Sequence, residues 1–153
     1  MSHWHNGKIS NDIQCSLAHL RDALVNIYPQ WADHIRVDAG DGLPLYDYLG
    51  KKHGKKFNLV IPGQGNPSGK APGVRWNDIG YKQLPDGSWE SEIDPSGLAV
   101  SDLENRVKAE VAAGMVRSMG SLEGNEIVNE ETLRDGTKVI DIAMDVGDEY
   151  LLQ

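Results

Sequence analysis

Two histidines near the N-terminus have a spacing that suits metal ligands. His3 and His5 lie two positions apart, so their side chains share a face if the segment is a strand. Imidazole nitrogens bind zinc, but two of them supply only half of a tetrahedral site. The carboxylates on other predicted strands that would have to complete it are Glu90, Glu92, Asp141 and Asp145. A metal-dependent enzyme that uses His3 and His5 is therefore one hypothesis, whereas no cofactor is predicted.

A glycine-rich segment resembles a phosphate-binding loop without meeting its requirements. Residues 63–70 (GQGNPSGK) follow an apolar run, as such a loop does. The loop needs a glycine five residues before its Gly-Lys pair, then Ser or Thr, then a helix. Gln64 stands where that glycine belongs, and Ala71 follows Lys70. The pattern therefore favours a flexible surface loop.

Two charged clusters in the same region have ordinary explanations. Residues 38–42 (DAGDG) resemble the start of a calcium loop, but position 12, which requires glutamate, is Leu49. We expect a turn there. Four lysines surround His53 and Gly54, namely Lys51, Lys52, Lys55 and Lys56. They could hold a phosphate or an acidic partner, but a solubilising charged turn before the next strand is the favoured interpretation.

Carboxylates in the C-terminal half of the chain form the main candidate surface. Residues 1–80 hold 9 basic and 7 acidic side chains, whereas residues 81–153 hold 6 and 16. Trp89, Ser91 and Ile93 alternate with acidic residues, so the two sets point to opposite faces of a strand. The carboxylates predicted to project away from the helices and to bind a partner are Glu90, Glu92, Asp94, Asp141 and Asp145.

The elements that must position these residues can be predicted from periodicity. Apolar residues at helical spacing predict one helix from about Ser16 to Trp31 and a second that begins at Ser101. Strands are predicted over residues 4–9, 57–61, 76–94 (as a hairpin) and 139–146, the last preceded by a turn at residues 134–137. This order predicts an α+β fold, a ferredoxin-like two-layer sandwich with two helices on one face of a mainly antiparallel sheet.

Length and composition limit the domain organisation and the class of protein. The 153 residues suit a single α+β domain over 1–153, with a Gly- and Pro-rich loop insertion at about 39–73. A net charge of −8 argues against general binding to nucleic acid or anionic membranes. The chain shows no membrane span or secretory signal, and Cys15 cannot form an internal disulfide, so we expect a reducing compartment, cytoplasmic or similar to the plastid stroma.

Several segments together resemble a known family. They are the opening Met-Ser-His-Trp, residues 77–81 (NDIGY), residues 86–90 (DGSWE), Asp94, both helices and the final Asp135-Gly136 with its strand. In these the chain is similar to the domain-of-unknown-function 1257 family, which includes the hypothetical chloroplast reading frame 35 proteins. The segment 39–73 and the C-terminus, with residues 146–150 (VGDEY), depart from the family pattern.

The resemblance implies a small intracellular protein without an established activity. Members are encoded near ATPases of the AAA+ type, which implies an accessory or adaptor role and transfers no catalytic residue. The sequence therefore predicts a non-catalytic protein that binds a protein partner. The alternatives are the metal-dependent enzyme and an acidic inhibitor, perhaps viral, whose carboxylates mimic nucleic acid. The sequence predicts neither the oligomeric state nor the identity of the partner.

Overall fold

The computed structural model describes residues 4–10, 15–94, 100–120, 125–134 and 137–144. It contains two helices, α1 (Leu17–Ile27) and α2 (Val100–Gly120), and a short 3-10 turn at Pro29–Trp31. The strands are β1 (His5–Ile9), β2 (Arg36–Val37), β3 (Leu43–Tyr46), β4 (Lys52–Phe57), β5 (Leu59–Ile61), β6 (Ile79–Gln83), β7 (Trp89–Ile93), β8 (Asn125–Thr132) and β9 (Lys138–Met144). The predicted α+β class is confirmed. Within the described ranges, no helix is long and apolar enough to cross a membrane.

Helix α1 begins at a polar cap and ends at a proline. The Ser16 hydroxyl accepts a hydrogen bond from the backbone N–H of His19 at 3.1 Å, which stabilises the first turn. Leu20 and Leu24, one turn apart, are buried. Pro29 cannot continue the α-helical hydrogen bonds and instead starts the 3-10 turn. The predicted helix therefore starts where expected, but its α-helical part ends before Tyr28.

The main sheet has five antiparallel strands in the order β1-β7-β6-β5-β2. Strands β6 and β7 form the predicted hairpin, and the Leu84 N–H donates to the Ser88 carbonyl across its turn at 2.8 Å. Gly87 adopts a φ of 88°, a left-handed conformation that favours glycine. Strand β1 pairs with β7 along all five residues, with His5 opposite Ile93 and Ile9 opposite Trp89. The predicted N-terminal strand is thus an edge of this sheet.

Both helices pack on one face of the main sheet and bury most of the large apolar side chains there. Helix α2 contributes Leu103, Val107 and Val111, which recur every fourth residue as predicted. The largest fully buried side chains of this core are Trp31, Trp89, Tyr81, Leu20, Leu24, Leu59, Ile61, Ile79, Ile93 and Leu103. Burial of such side chains is the main favourable term in folding.

The other face of the main sheet is covered by a hairpin that the sequence analysis did not predict. Strands β3 and β4, both within the 39–73 segment, pair antiparallel and bury Leu45 and Phe57 against Val60 of β5. The predicted single strand over 57–61 is divided at Asn58, where the chain passes from β4 to β5. This segment therefore forms the whole covering hairpin and contributes strand β5 to the main sheet.

The C-terminal hairpin forms a sheet of its own. Strand β8 pairs with β9 from Asn125 opposite Met144 to Thr132 opposite Lys138, with an irregularity between Ile127 and Asn129. Among the described strands, neither pairs with the five-stranded sheet. Both β8 and β9 contact α2 instead. The predicted terminal hairpin is confirmed, and it packs against α2.

Candidate functional site

The carboxylates of β7, and Asp94 directly after it, do not form an exposed surface. Glu92 and Asp94 are 7% and 4% exposed, and Glu92 accepts a hydrogen bond from the Asn6 side chain at 3.1 Å. Glu90 is half-buried and forms an ion pair with Lys55 at 3.1 Å. Glu90 and Glu92 lie on the sheet face away from the helices, the face on which they were predicted. Because Glu92 and Asp94 are buried and Glu90 already has a basic neighbour, this part of the predicted carboxylate surface is not open. The role of these residues in binding a partner stays a prediction.

The β3–β4 hairpin explains part of this difference, because it covers the face that was predicted to be free. A Cβ atom at Gly80 of β6 would lie 2.7 Å from Leu45 and 2.9 Å from Phe57, so the hairpin packs directly on this glycine. Three of the predicted lysines, Lys52, Lys55 and Lys56, lie in strand β4, and the fourth precedes it. The predicted lysine turn is therefore mainly a strand, and one of its side chains meets a carboxylate of the sheet.

Asp141 is the one predicted carboxylate that the structure describes as exposed. Its neighbour across the hairpin, Asn129, donates to its carboxylate at 3.3 Å. Paired residues share a face, and Glu131 pairs with Val139, two positions from Asp141. Glu131, which the sequence analysis did not single out, is also exposed. Asp145 lies outside the described residues. Glu131 and Asp141 therefore share the outer face of the C-terminal hairpin.

The inner face of this hairpin is held to α2 by four charged side chains. Glu110 of α2 is 7% exposed and lies 2.8 Å from the Lys138 ammonium and 3.6 Å from the Arg117 guanidinium. Arg117 also binds the Glu130 carboxylate, which raises the pKa of Arg117 and lowers that of Glu130. The inner face is thus occupied by contacts within the chain, whereas Glu131 and Asp141 on the outer face are exposed.

The proposed metal ligands lie at the limit of the described chain. His3 is outside the described residues, and for His5 the structure describes the backbone pairing in β1. Within the described ranges, no group of three His, Cys, Asp or Glu side chains could hold a metal ion. The hypothesis that His3 and His5 bind a metal stays a prediction.

Cys15 is a free cysteine that lies in the core. It is 4% exposed, and burial raises the pKa of its thiol to about 11. Because the thiolate is the reactive form, this thiol is a poor nucleophile at neutral pH. Its backbone carbonyl accepts a hydrogen bond from the Trp89 indole at 2.8 Å. The residue therefore belongs to the packing of α1 against the sheet.

A buried carboxyl group that the sequence analysis did not identify organises the loops beside the β3–β4 hairpin. Asp78 is 0% exposed and accepts hydrogen bonds from the Tyr46 backbone at 2.9 Å, the Gly63 backbone at 2.7 Å and the Asn66 side chain at 2.8 Å. The adjacent Asn77 accepts from the Tyr48 backbone at 2.8 Å. These contacts fix the glycine-rich loop and the hairpin to the start of β6.

The surroundings of Asp78 have opposing effects on its pKa. Burial raises the pKa above the ordinary value of 3.8, and the three hydrogen bonds lower it, with a net upward shift. All three partners are N–H donors, which is the arrangement that an ionised, acceptor-only carboxylate satisfies. The position of Asp78 in the NDIGY segment was one sequence signal of its burial. A carboxylate that is buried beside apolar strand residues needs hydrogen-bond partners within the protein. The sequence could not show which donors those are.

A cavity of about 380 Å³ lies next to this network. Its lining includes Tyr46 and Asn66, two of the residues that bind Asp78, together with Arg36 at the sheet edge and Ser68 of the glycine-rich loop. A second cavity of about 500 Å³ lies at the other end of β6, between residues 39–41 and the β6–β7 turn. Both volumes are in the range of small-molecule sites.

Comparison with known proteins does not extend these observations. No protein-family model matches the chain, and neither curated proteins nor solved structures gave a significant match. The resemblance to the domain-of-unknown-function 1257 family therefore stays a prediction.

Proposed function

We propose that this protein is a small accessory or adaptor protein that acts without catalysis and binds a basic protein partner through the outer face of its C-terminal hairpin. The observation that carries the proposal is the contrast between the two faces of this hairpin. Its inner face is bound to α2 through Lys138 and Glu130, whereas Glu131 and Asp141 on its outer face are exposed.

The edges of the hairpin add a second way to hold a partner. Strands β8 and β9 pair only with each other among the described strands, so each presents one edge with unpaired backbone groups. Such edges accept an added strand from another chain. Ile127, Val128 and Leu133 beside them are 37%, 58% and 44% exposed. A partner segment with basic and apolar side chains matches this combination.

The class of partner follows from the charge and from the family resemblance. Carboxylates on an exposed face attract a basic surface and raise the rate of encounter. A component of an AAA+ type ATPase system is the partner that the resemblance implies.

The predicted ferredoxin-like layering is also part of this proposal. Its support is that two helices cover one face of an antiparallel sheet. The described C-terminal strands, however, pair separately from that sheet.

The nucleic-acid mimic is less well supported than the adaptor. Such an inhibitor needs a dense array of exposed carboxylates to replace phosphates. The burial of Glu92 and Asp94 removes two of the five predicted members of that array. The remaining exposed carboxylates on the hairpin are better suited to a limited protein contact.

Capture from native lysate at physiological salt tests the proposal. The bait proteins are the wild type, the double variant Glu131→Lys/Asp141→Lys, and a control, Asp22→Lys/Asp33→Lys, which makes the same charge change at exposed positions elsewhere. We expect one reproducible partner that the wild type and the control retain and the hairpin variant loses. Failure to recover any partner, or equal recovery by all three proteins, would contradict the proposal.

A further inference from the structure

The cavity beside Asp78 is lined by an arginine, Arg36, as well as by residues of the glycine-rich loop. Arg36 of β2 pairs with Val60 of β5, so the two side chains share a face of the main sheet. Val60 packs on the β3–β4 side, with Leu45 and Phe57. Arg36 therefore projects toward the hairpin, where Leu43 and Tyr46 form the facing wall of the cavity.

The Arg36 guanidinium is available to a ligand. Arg36 is exposed, and within the part of the chain that the structure describes no hydrogen bond or ion pair engages it. Its planar group carries five N–H donors, which match the two oxygens of a carboxylate. It is thus an unused cation at the mouth of a cavity.

The glycine-rich loop contributes a polar part of the cavity lining that is held by hydrogen bonds. Asn66 is 8% exposed, and its carboxamide is held at both ends, since the nitrogen donates to Asp78 at 2.8 Å and the oxygen accepts from Ser68. One N–H of the Asn66 side chain remains after the bond to Asp78. A wall fixed in this way loses little conformational freedom when a ligand binds.

The charge of the neighbouring Asp78 limits which anion fits. Its three donors suit an ionised carboxylate, so the cavity contains one cation and lies beside one buried anion. A second full negative charge, as in a phosphate dianion, would be repelled more strongly than a single one. Leu43, Val60 and Pro67 make much of the remaining lining apolar. A monoanion with an apolar group matches both properties.

We propose that this cavity binds an apolar carboxylate, with the Arg36 guanidinium on the carboxylate and the apolar group between β3 and Val60. The same chemistry occurs in a free branched-chain carboxylic acid and in the C-terminal carboxylate of a peptide that ends in an apolar residue. This site lies in the N-terminal half of the chain and does not depend on the proposed function of the C-terminal hairpin.

Ligand titrations followed by amide NMR shifts of the full chain test the proposal. The probes are isocaproate for the free acid and N-acetyl-leucine for a peptide C-terminus, each compared with its neutral amide, and inorganic phosphate. The proteins are the wild type, Arg36→Gln, Ser68→Trp, which fills the mouth of the cavity at an exposed position, and the control Arg134→Gln at an exposed arginine in the C-terminal hairpin.

We expect saturable shifts at Val60 and Ser68 with at least one acid, with a Kd on the order of 1 mM, and none with the amides. Arg36→Gln should weaken binding about tenfold or more, as removal of a charged hydrogen-bond donor does, and Arg134→Gln should leave it unchanged. Tighter binding of isocaproate would identify the ligand as a free carboxylic acid, and tighter binding of N-acetyl-leucine would identify it as a peptide C-terminus. Ser68→Trp tests the cavity independently of the charge and should also weaken binding.

Three results would overturn the proposal. One is the absence of saturable shifts in the wild type at concentrations about tenfold above the expected Kd. Another is equal binding of an acid to the wild type and to either Arg36→Gln or Ser68→Trp. The last is tighter binding of phosphate than of both carboxylates, which would assign a different class of anion to the cavity.

Discussion

Asp78, beneath the β3–β4 hairpin, and Asp141, on the outer face of the C-terminal hairpin, carry the same side chain in opposite surroundings. Asp78 is fully buried and accepts three hydrogen bonds, one from Tyr46 of β3 and two from the glycine-rich loop. Asp141 is exposed and accepts one from its cross-strand neighbour Asn129. A carboxylate in the first setting stabilises the fold, whereas one in the second is free to contact a partner.

The comparison shows what strand alternation does and does not predict. Alternation assigned Glu90 and Glu92 to the sheet face opposite Trp89, as the structure has them. Whether that face is open depends on which other segment packs against it. The β3–β4 hairpin covers it, so side chains expected at the surface lie partly or fully inside.

The largest effect should come from Asp78→Asn. An asparagine at this position places an amide group where N–H donors already point, so at least one buried donor loses its acceptor. We expect the free energy of unfolding to fall by about 2–4 kcal/mol, measured by urea denaturation. The comparison variant, Asp141→Asn, should change it by less than about 0.5 kcal/mol. If both substitutions lowered the free energy of unfolding equally, Asp78 would not stabilise the fold more than Asp141 does.

The upward shift of the Asp78 pKa also predicts a pH dependence. The unfolded carboxyl releases its proton near the ordinary value of 3.8, and the folded one releases it at higher pH. Between these two pH values the native state holds more protons than the unfolded state, so the contribution of Asp78 to stability falls as the pH rises. The stability difference between the wild type and Asp78→Asn, measured at steps through this window, should shrink as the pH rises. A difference that stays constant through this window and grows with pH below 3.8 would show that the native pKa is lowered instead.

A smaller and more local effect is expected for Glu110→Gln. The substitution removes the negative charge that Lys138 and Arg117 share, but both cations keep some access to water. We expect a loss of about 1–2 kcal/mol and faster amide hydrogen exchange in β8 and β9 than in the five-stranded sheet. An exchange increase spread evenly over both sheets would argue that Glu110 does not specifically anchor the hairpin.

The smallest effect is expected for the ion pair between Lys55 and Glu90. Lys55 is 49% exposed, so water and salt screen the interaction. A double-mutant cycle with Lys55→Ala and Glu90→Ala should give a coupling energy below about 0.5 kcal/mol that decreases further at high salt. A coupling energy well above this value that does not change with salt would show that Glu90 behaves as a buried carboxylate.

Periodic features of the molecule could be predicted from the sequence, and contacts between distant segments could not. The apolar residues of α1 and α2 and the β6–β7 turn follow local rules, and the structure has them near the predicted positions. Strand β3 has proline at its second position, and β4 is lysine-rich with a glycine, so the pattern indicated loop. The partners of Asp78 lie between 12 and 32 residues away in the chain, and no periodicity encodes them.

We propose above all that the outer face of the C-terminal hairpin binds a basic partner. The most direct test is the affinity of the captured partner for the double variant Glu131→Lys/Asp141→Lys. Calorimetric titration at physiological salt should show a Kd at least about tenfold higher than for the wild type. The unfolding free energy of this variant should stay within about 0.5 kcal/mol of the wild type, because both side chains are exposed. An unchanged Kd for this folded variant would contradict the account.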